Sequence, residues 1–305
     1  MCISWRSILG SLVATTLIAQ PIFAVDEDGA TADRESVEAS ESDTNFFGLD
    51  AAPLTEPMVT DRPDFTESTD AVPWGHIQLE LGYTLTVDKE DGNKTREHAA
   101  PGMLLRVGLV EDIELRLGWD GYSYEYSRET SRESTPGGGT RTVTTRDWAQ
   151  GATDMSIGAK FKLVEQEDWI PHIGVITEIT VPSGSSNVSS GDVEPGLILA
   201  WAYDITDNFG IAGNTGLFVL RDGTHQFLQT TSSLSAAFAI AEKLGSYVEY
   251  FGLYPDAISE DCAHHLNGGL TYQITDNLQL DWLIGFGLNE QAPDFFTGFG
   301  VSIRL

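Results

Sequence analysis

Apolar and polar residues alternate without a break over residues 77–87. Ile77, Leu79, Leu81, Tyr83, Leu85 and Val87 fall on one parity, and Gln78, Glu80, Gly82, Thr84 and Thr86 on the other. Successive side chains of a strand point to opposite faces, so a period of two predicts a strand with one greasy and one polar face. The texture recurs at 103–109, 113–119, 155–163, 173–181, 197–203, 209–217, 234–240, 248–254, 266–274, 278–288 and 295–305. That makes about twelve strands, an even number, as expected of an outer-membrane barrel.

With each phase set by the aliphatic residues, no charge falls on the apolar faces. Glu80, Arg106, Glu114, Arg116, Asp120, Asp154, Lys160, Lys162, Glu178, Glu194, Asp204, Glu249, Asp281 and Arg304 all lie on the other faces. A Lys or Arg turned to lipid at mid-depth costs roughly 2–4 kcal/mol. A dozen strands that avoid it suggest one continuous apolar exterior. A soluble sandwich also alternates, with its apolar face inward, so three further features decide. Short turns at 111–112, 205–208, 241–243 and 275–277 alternate with longer polar loops at 88–98, 125–151, 182–192, 220–226, 255–263 and 289–294. Aromatics gather near strand ends (Trp74, Trp119, Trp169, Trp201, Tyr203, Tyr254, Phe295), where amphipathic rings suit membrane interfaces. The alternation runs to the final Leu305, as a strand closing against the first one would. The expected fold is therefore all-β: a closed antiparallel transmembrane barrel of about twelve strands, with both termini periplasmic.

The N-terminal quarter reads differently. Arg6, the apolar stretch 8–18, Pro21 and the small Ala24 before an acidic run match a secretory signal peptide over 1–24. Residues 25–59 carry ten acids and one base, with sparse apolar residues. Such a segment buries too little surface to offset its ordering entropy, so it reads as a disordered acidic linker, either a solvated tether or an arm for a partner. Residues 60–75 form a lead that either tucks into the periplasmic mouth as a small plug or runs extended into the first strand. The barrel occupies 76–305.

Composition narrows the chemistry. The 305 residues include 46 acids against 17 bases, for a formal charge of -29. Nucleic-acid binding needs clustered Lys and Arg, so it is excluded as a partner. Two Cys rule out a disulfide scaffold and a multi-Cys zinc site. No apolar run is long enough for a helical membrane protein.

Three stretches then carry a resemblance. The opening Thr60-Asp61-Arg62-Pro63-Asp64-Phe65-Thr66-Glu67-Ser68, followed by Val72-Pro73-Trp74-Gly75-His76-Ile77-Gln78-Leu79-Glu80-Leu81-Gly82-Tyr83, resembles the start of an outer-membrane transporter-like family labelled for the phenol-degradation meta-pathway. The ending 294–305 and the middle stretch 151–161 look like the same family, so the resemblance covers about 60–305. Outer-membrane barrels commonly end in Phe, and Leu305 departs from that while keeping the apolar spacing. The resemblance implies uptake of small aromatic or apolar compounds.

The expected function is passive movement of small solutes across the outer membrane of a diderm bacterium, without catalysis and without a cofactor. Its partners are outer-membrane lipid, the small-molecule solute, and the barrel assembly machinery acting through the C-terminal strand. The pore-lining candidates are Glu80, Arg106, Glu114, Arg116, Asp154, Lys160, Lys162, Glu178, Glu249 and Asp281. They form either a salt-bridge network filling a narrow barrel or an electrostatic ladder that selects solutes. The 125–151 loop, with Arg128, Arg132, Arg141 and Arg146, either folds inward as a constriction or caps the outside. Two rivals from other classes remain. A lipid hydrolase would pair Ser232, Ser233 or Ser235 with His225, His264 or His265, but no nucleophile motif surrounds these serines. A structural or adhesin barrel would use its external loops. The ligand-rich loop of Asp256, Glu260, Asp261, Cys262 and His264-His265 reads as solvated, because adjacent histidines on a strand point apart.

Overall fold

The computed structural model describes residues 43–90, 93–134, 138–222, 225–257 and 261–305. The expected signal peptide, the first part of the acidic stretch, and Glu260 lie outside them. A small ladder comes first: β1 (Asp43–Thr44) pairs with β2 (Asp50–Ala51). Then follow β3 (Ile77–Glu90), β4 (Asn93–Val110), β5 (Ile113–Trp119), β6 (Tyr122–Ser134), β7 (Thr140–Ala152), β8 (Met155–Val164) and β9 (His172–Val181). The chain continues through β10 (Glu194–Thr206), β11 (Phe209–Asp222), β12 (His225–Ala241), β13 (Leu244–Pro255), β14 (Ala263–Thr275), β15 (Leu278–Gly287) and β16 (Phe295–Arg304).

Twelve of these strands close a ring. The order β3-β16-β15-β14-β13-β12-β11-β10-β9-β8-β5-β4 returns to β3, with every neighbour antiparallel. The seam lies where the alternation placed it. Ile77 and the terminal Leu305 exchange backbone hydrogen bonds of 2.7 and 3.1 Å. A ring has no free edge, which is the condition for a sheet to sit in hydrocarbon.

The predicted faces are also observed. Outward Ile157, Leu199 and Phe299 are 47%, 49% and 59% exposed, whereas inward Glu80, Arg106, Glu114, Lys160 and Glu249 are fully buried. Apolar outside and charged inside is the inverse of a soluble sandwich. Among the described residues no helix is long and apolar enough to cross a membrane.

Three expected loops are strands instead. β3 and β4 run on through 88–98 apart from the tip, and β11 and β12 do the same through 220–226. The stretch 125–151 neither folds inward nor caps the barrel. It forms the β6–β7 hairpin, and β6 pairs with the upper part of β4 to continue the sheet beyond the ring. Beyond the membrane both faces of a sheet meet water, so the apolar alternation that marks a spanning strand disappears while the backbone ladder persists. The acidic stretch also takes up structure before residue 60. Ala51 and Met58 are buried, Met58 N donates to Asp276 O at 2.8 Å, and Arg304 Nη2 donates to Glu56 O at 2.8 Å.

Candidate functional site

The inner wall of the barrel poses an electrostatic problem that the strands do not solve alone. The register sets Arg106 directly opposite Arg116 on β4 and β5, and Lys160 on β8 opposite Glu114 on β5. Like charges facing each other across a ladder repel. At full burial an unpaired guanidinium is far costlier than a surface one. Glu114 on the same wall pairs with Arg106 Nε at 2.9 Å and with Arg116 Nη1 at 3.0 Å, and Glu80 pairs with Arg106 Nη1 at 3.2 Å, but two wall carboxylates face three wall bases, so a further anion comes from elsewhere.

Residues 60–72 supply it by threading the lumen. The Asp61 carboxylate forms an ion pair with Arg106 Nε (3.2 Å) and accepts from Arg116 Nη1 and from Lys160 Nζ (2.7 Å). Glu67 takes the other arm of Arg116 at 2.7 Å. Ser68 Oγ donates to Asp61 at 2.6 Å and accepts from Lys160 at 2.9 Å. The wall returns the contact. Glu80 accepts from the backbone N–H groups of Asp61 (3.0 Å) and Arg62 (2.9 Å), and Glu114 from that of Val72 (2.7 Å). Lys162 reaches Asp70 at 3.2 Å.

On the opposite wall Arg62 pairs with Asp281 at 3.1 Å. Glu249 accepts from Phe65 N (2.7 Å) and Thr66 Oγ1 (2.6 Å), and Asn214 accepts from Glu67 N. Thr60, Asp61, Asp64, Thr66, Glu67, Ser68 and Thr69 are all at most 3% exposed. The segment is thus a plug held from several sides.

Glycines on the inner wall make room for it. Arg62 lies against both Gly82 on β3 and Gly300 on β16, where any Cβ would overlap its guanidinium. A Cβ at Gly108 would overlap the carbonyls of Val72 and Pro73. Here the side chain must be absent so that another backbone or side chain can pass.

The ten pore-lining candidates therefore separate. Glu80, Arg106, Glu114, Arg116, Lys160, Lys162, Glu249 and Asp281 all contact the plug. Glu178 is half-buried on the inner wall, facing Gly158 and Gly196. Asp154 pins a rim loop, accepting from Gly184 N (2.7 Å), Ser189 Oγ (2.9 Å) and Ser190 N (3.1 Å).

Above the plug, toward the end carrying the long hairpins, the wall changes character. Ile176, Ile198, Phe218, Leu220 and Phe227 form one buried inward cluster. Phe251, Leu283 and Phe296 form a second, against Phe65 at the plug tip. Phe65 stacks on Phe251 with centroids 4.4 Å apart, and Phe251 stacks on His265 at 4.2 Å. Reading the strands by where charges fell left this tier unnoticed. Its signal was available as the apolar residues on the charge-bearing parity: Ile176 beside Glu178, Phe251 beside Glu249, Leu283 beside Asp281.

Among the described residues no candidate serine is hydrogen-bonded directly to a candidate histidine; Ser232 reaches His264 only through Tyr254 and Tyr250, which share a 3.2 Å hydrogen bond. Ser233 Oγ shares a 2.8 Å hydrogen bond with Thr66 and Ser235 donates to Asp64 at 2.9 Å, so both hold the plug. Ser232 meets Tyr254 at 3.1 Å, while His264 meets Tyr250 at 2.7 Å. Among the described residues no group of His, Cys, Asp and Glu is placed to hold a metal ion.

Comparison with known proteins agrees with this geometry. No curated protein matches the chain. Among solved structures, the COG4313 outer membrane channel from Pseudomonas putida F1 is similar at 13% identity and a TM-score of 0.57, over 78% of this chain and 98% of that one. The NanC porin (11% identity, TM-score 0.43, 75% of this chain and 100% of that one) is a looser likeness. So is the translocator domain of the autotransporter NalP from Neisseria meningitidis (8%, 0.46, 75% and 88%). The first likeness supports the outer-membrane barrel fold. A family model matches residues 60–305, from the plug's first residue to the last strand, and the chain accordingly belongs to the family described as "Putative MetA-pathway of phenol degradation".

Proposed function

We propose that this chain is an outer-membrane channel for passive entry of small apolar or aromatic solutes, and that the 60–72 plug is its gate. The observation that carries the reading is the two-tier lumen. An apolar inner wall carrying Phe218, Phe227, Phe251 and Phe296 lies toward the long-hairpin end, next to a polar plug held to the wall by charge and hydrogen bonds. A phenyl-sized solute gains about 1.5–3 kcal/mol by leaving water for such a wall, whereas a sugar gains little and loses hydration. The seated plug bars passage, so transport requires it to shift, and ionic contacts permit this because they re-form in water. Export through the N-terminal signal, and insertion with the short turns toward the periplasm, complete the reading.

Liposome swelling with a panel of sugars, amino acids and aromatic acids tests it. Aromatic acids should enter vesicles carrying the protein about tenfold faster than sugars of similar size, a preference worth roughly 1.4 kcal/mol. Equal entry of all three classes would remove the apolar tier from the account.

A further inference from the structure

The sheet formed by the upper parts of β3 and β4 with β6 and β7 sorts its charges by face. Register fixes the two faces. Lys89 pairs with Lys94, Lys94 with Arg128, and Arg128 with Arg146. These four bases form one unbroken row straight across four strands, roughly 14 Å from end to end at about 4.8 Å per strand. Arg96 and Arg132 lie on the same face by parity, and no Asp or Glu does. The opposite face carries Asp88, Glu97, Glu125, Glu129 and Asp147, with Arg141 as its base. Six of the 17 Lys and Arg residues thus share one face of a chain whose formal charge is -29. Among the described residues none of the six closes an ion pair.

Like charges directly opposed in a sheet destabilise it. Inside the barrel the same arrangement, Arg106 against Arg116, is answered by Glu114 and Asp61. The outer row has no such answer from the described residues, and its position says where one comes from. The basic face is continuous with the lipid-facing exterior. Phe299, 59% exposed, packs on Tyr83 at 5.0 Å. Tyr83 shares a 2.8 Å hydrogen bond with His98, which packs on Tyr124, which packs on Trp148. This aromatic ladder climbs from the hydrocarbon belt to the bases, as rings do at a membrane interface. Val87, opposite Phe295, is one two-residue step below Lys89, or roughly 7 Å. The row therefore stands at headgroup height.

We propose that this face binds the phosphate groups of a membrane-anchored phosphorylated glycolipid in the outer leaflet, the Lys94–Arg128–Arg146 row clasping phosphate while the aromatic ladder lies along the acyl chains. Arg forks suit phosphate oxygens. A soluble polyanion would satisfy the bases but would have no use for the continuity with the lipid belt. The inference rests on the outer-membrane barrel and not on the gating plug.

The test uses the purified, folded full-length barrel and two probes, bisphosphorylated lipid A and its dephosphorylated form. The wild type should retain the phosphorylated lipid about tenfold more tightly. The triple variant Lys94→Gln/Arg128→Gln/Arg146→Gln should lose that preference, and Arg141→Gln, on the acidic face, should keep it. Heat-modifiability on gels verifies folding, and unchanged solute entry separates this result from the channel reading. Equal binding of the two lipids by the wild type overturns the proposal, whatever the variants do. So does displacement of the lipid by excess inorganic phosphate or a soluble polyanion, which would reassign the face to a water-borne ligand. Retention by the triple variant at the wild-type level overturns it too.

Discussion

In planar bilayers, Asp61→Ala protein is expected to conduct at least about tenfold more than the wild type, since each 1.4 kcal/mol withdrawn from the seated plug raises the unseated population tenfold. Asp61 is the point where three wall bases converge: Arg106, Arg116 and Lys160. Without it Lys160 keeps a hydroxyl at 2.9 Å and a carboxylate at 4.0 Å. Removing one partner from a buried ionic cluster costs about 3–5 kcal/mol. Residues 60–72 meet the wall only through non-covalent contacts, the covalent link to β3 coming after them, so the strain is relieved by leaving. The three bases then rehydrate in a wet lumen. Asp64→Ala is the internal control. Asp64 accepts from Ser235 at 2.9 Å and its second oxygen has no partner, so its loss should raise conductance far less. Equal conductance of Asp61→Ala and wild type would mean that the charges around Asp61 do not hold the gate.

A second large effect is expected in the upper tier. Phe218→Asn together with Phe227→Asn should slow entry of aromatic acids at least about tenfold, because each lost ring removes roughly 1.5–3 kcal/mol of apolar burial available to the solute. Both side chains face inward and are buried with Ile176, Ile198 and Leu220. Neither touches the plug cluster around Asp61, so seating should be unaffected and sugar entry should change less than about twofold. Liposome swelling with paired solutes reads both numbers. A uniform change in all solutes would show that the tier acts through barrel integrity and not through solvation of the passenger.

The sequence made the exterior easy to see because one physical constraint repeats along it. Outward positions over the hydrocarbon depth avoid charge and are mostly apolar, so residues 77–87 or 278–288 announce their faces unaided. The seam at Leu305 was legible for the same reason. The plug was only half legible. Residues 60–75 were recognisable as either a plug or a lead, but their partners lie up to 219 positions away, as Arg62 and Asp281 do. No period within 60–72 encodes such a contact. Indirect traces existed in Gly82, Gly108 and Gly300, on the inward parity where a side chain would block the segment. The β6–β7 hairpin was illegible because polar faces on both sides leave no alternation in hydrophobicity. Charge alternates there instead: from Tyr122 to Gln150 the aromatics and every base but Arg141 fall on even positions, and the acids on odd ones. Only the register turns that pattern into two faces.

The claim on which the account depends is that solute passes only when the plug leaves its seat. Thr66 on the plug and Ser233 on the wall bring their hydroxyl oxygens to 2.8 Å, which makes them the pair to cross-link. Thr66→Cys/Ser233→Cys protein with Cys262→Ser should, once oxidised, admit aromatic acids no faster than protein-free vesicles, and should regain the wild-type rate on reduction. Wild-type entry through the fully oxidised barrel, with the cross-link verified on gels, would show that solute has another route and that the plug is not the gate.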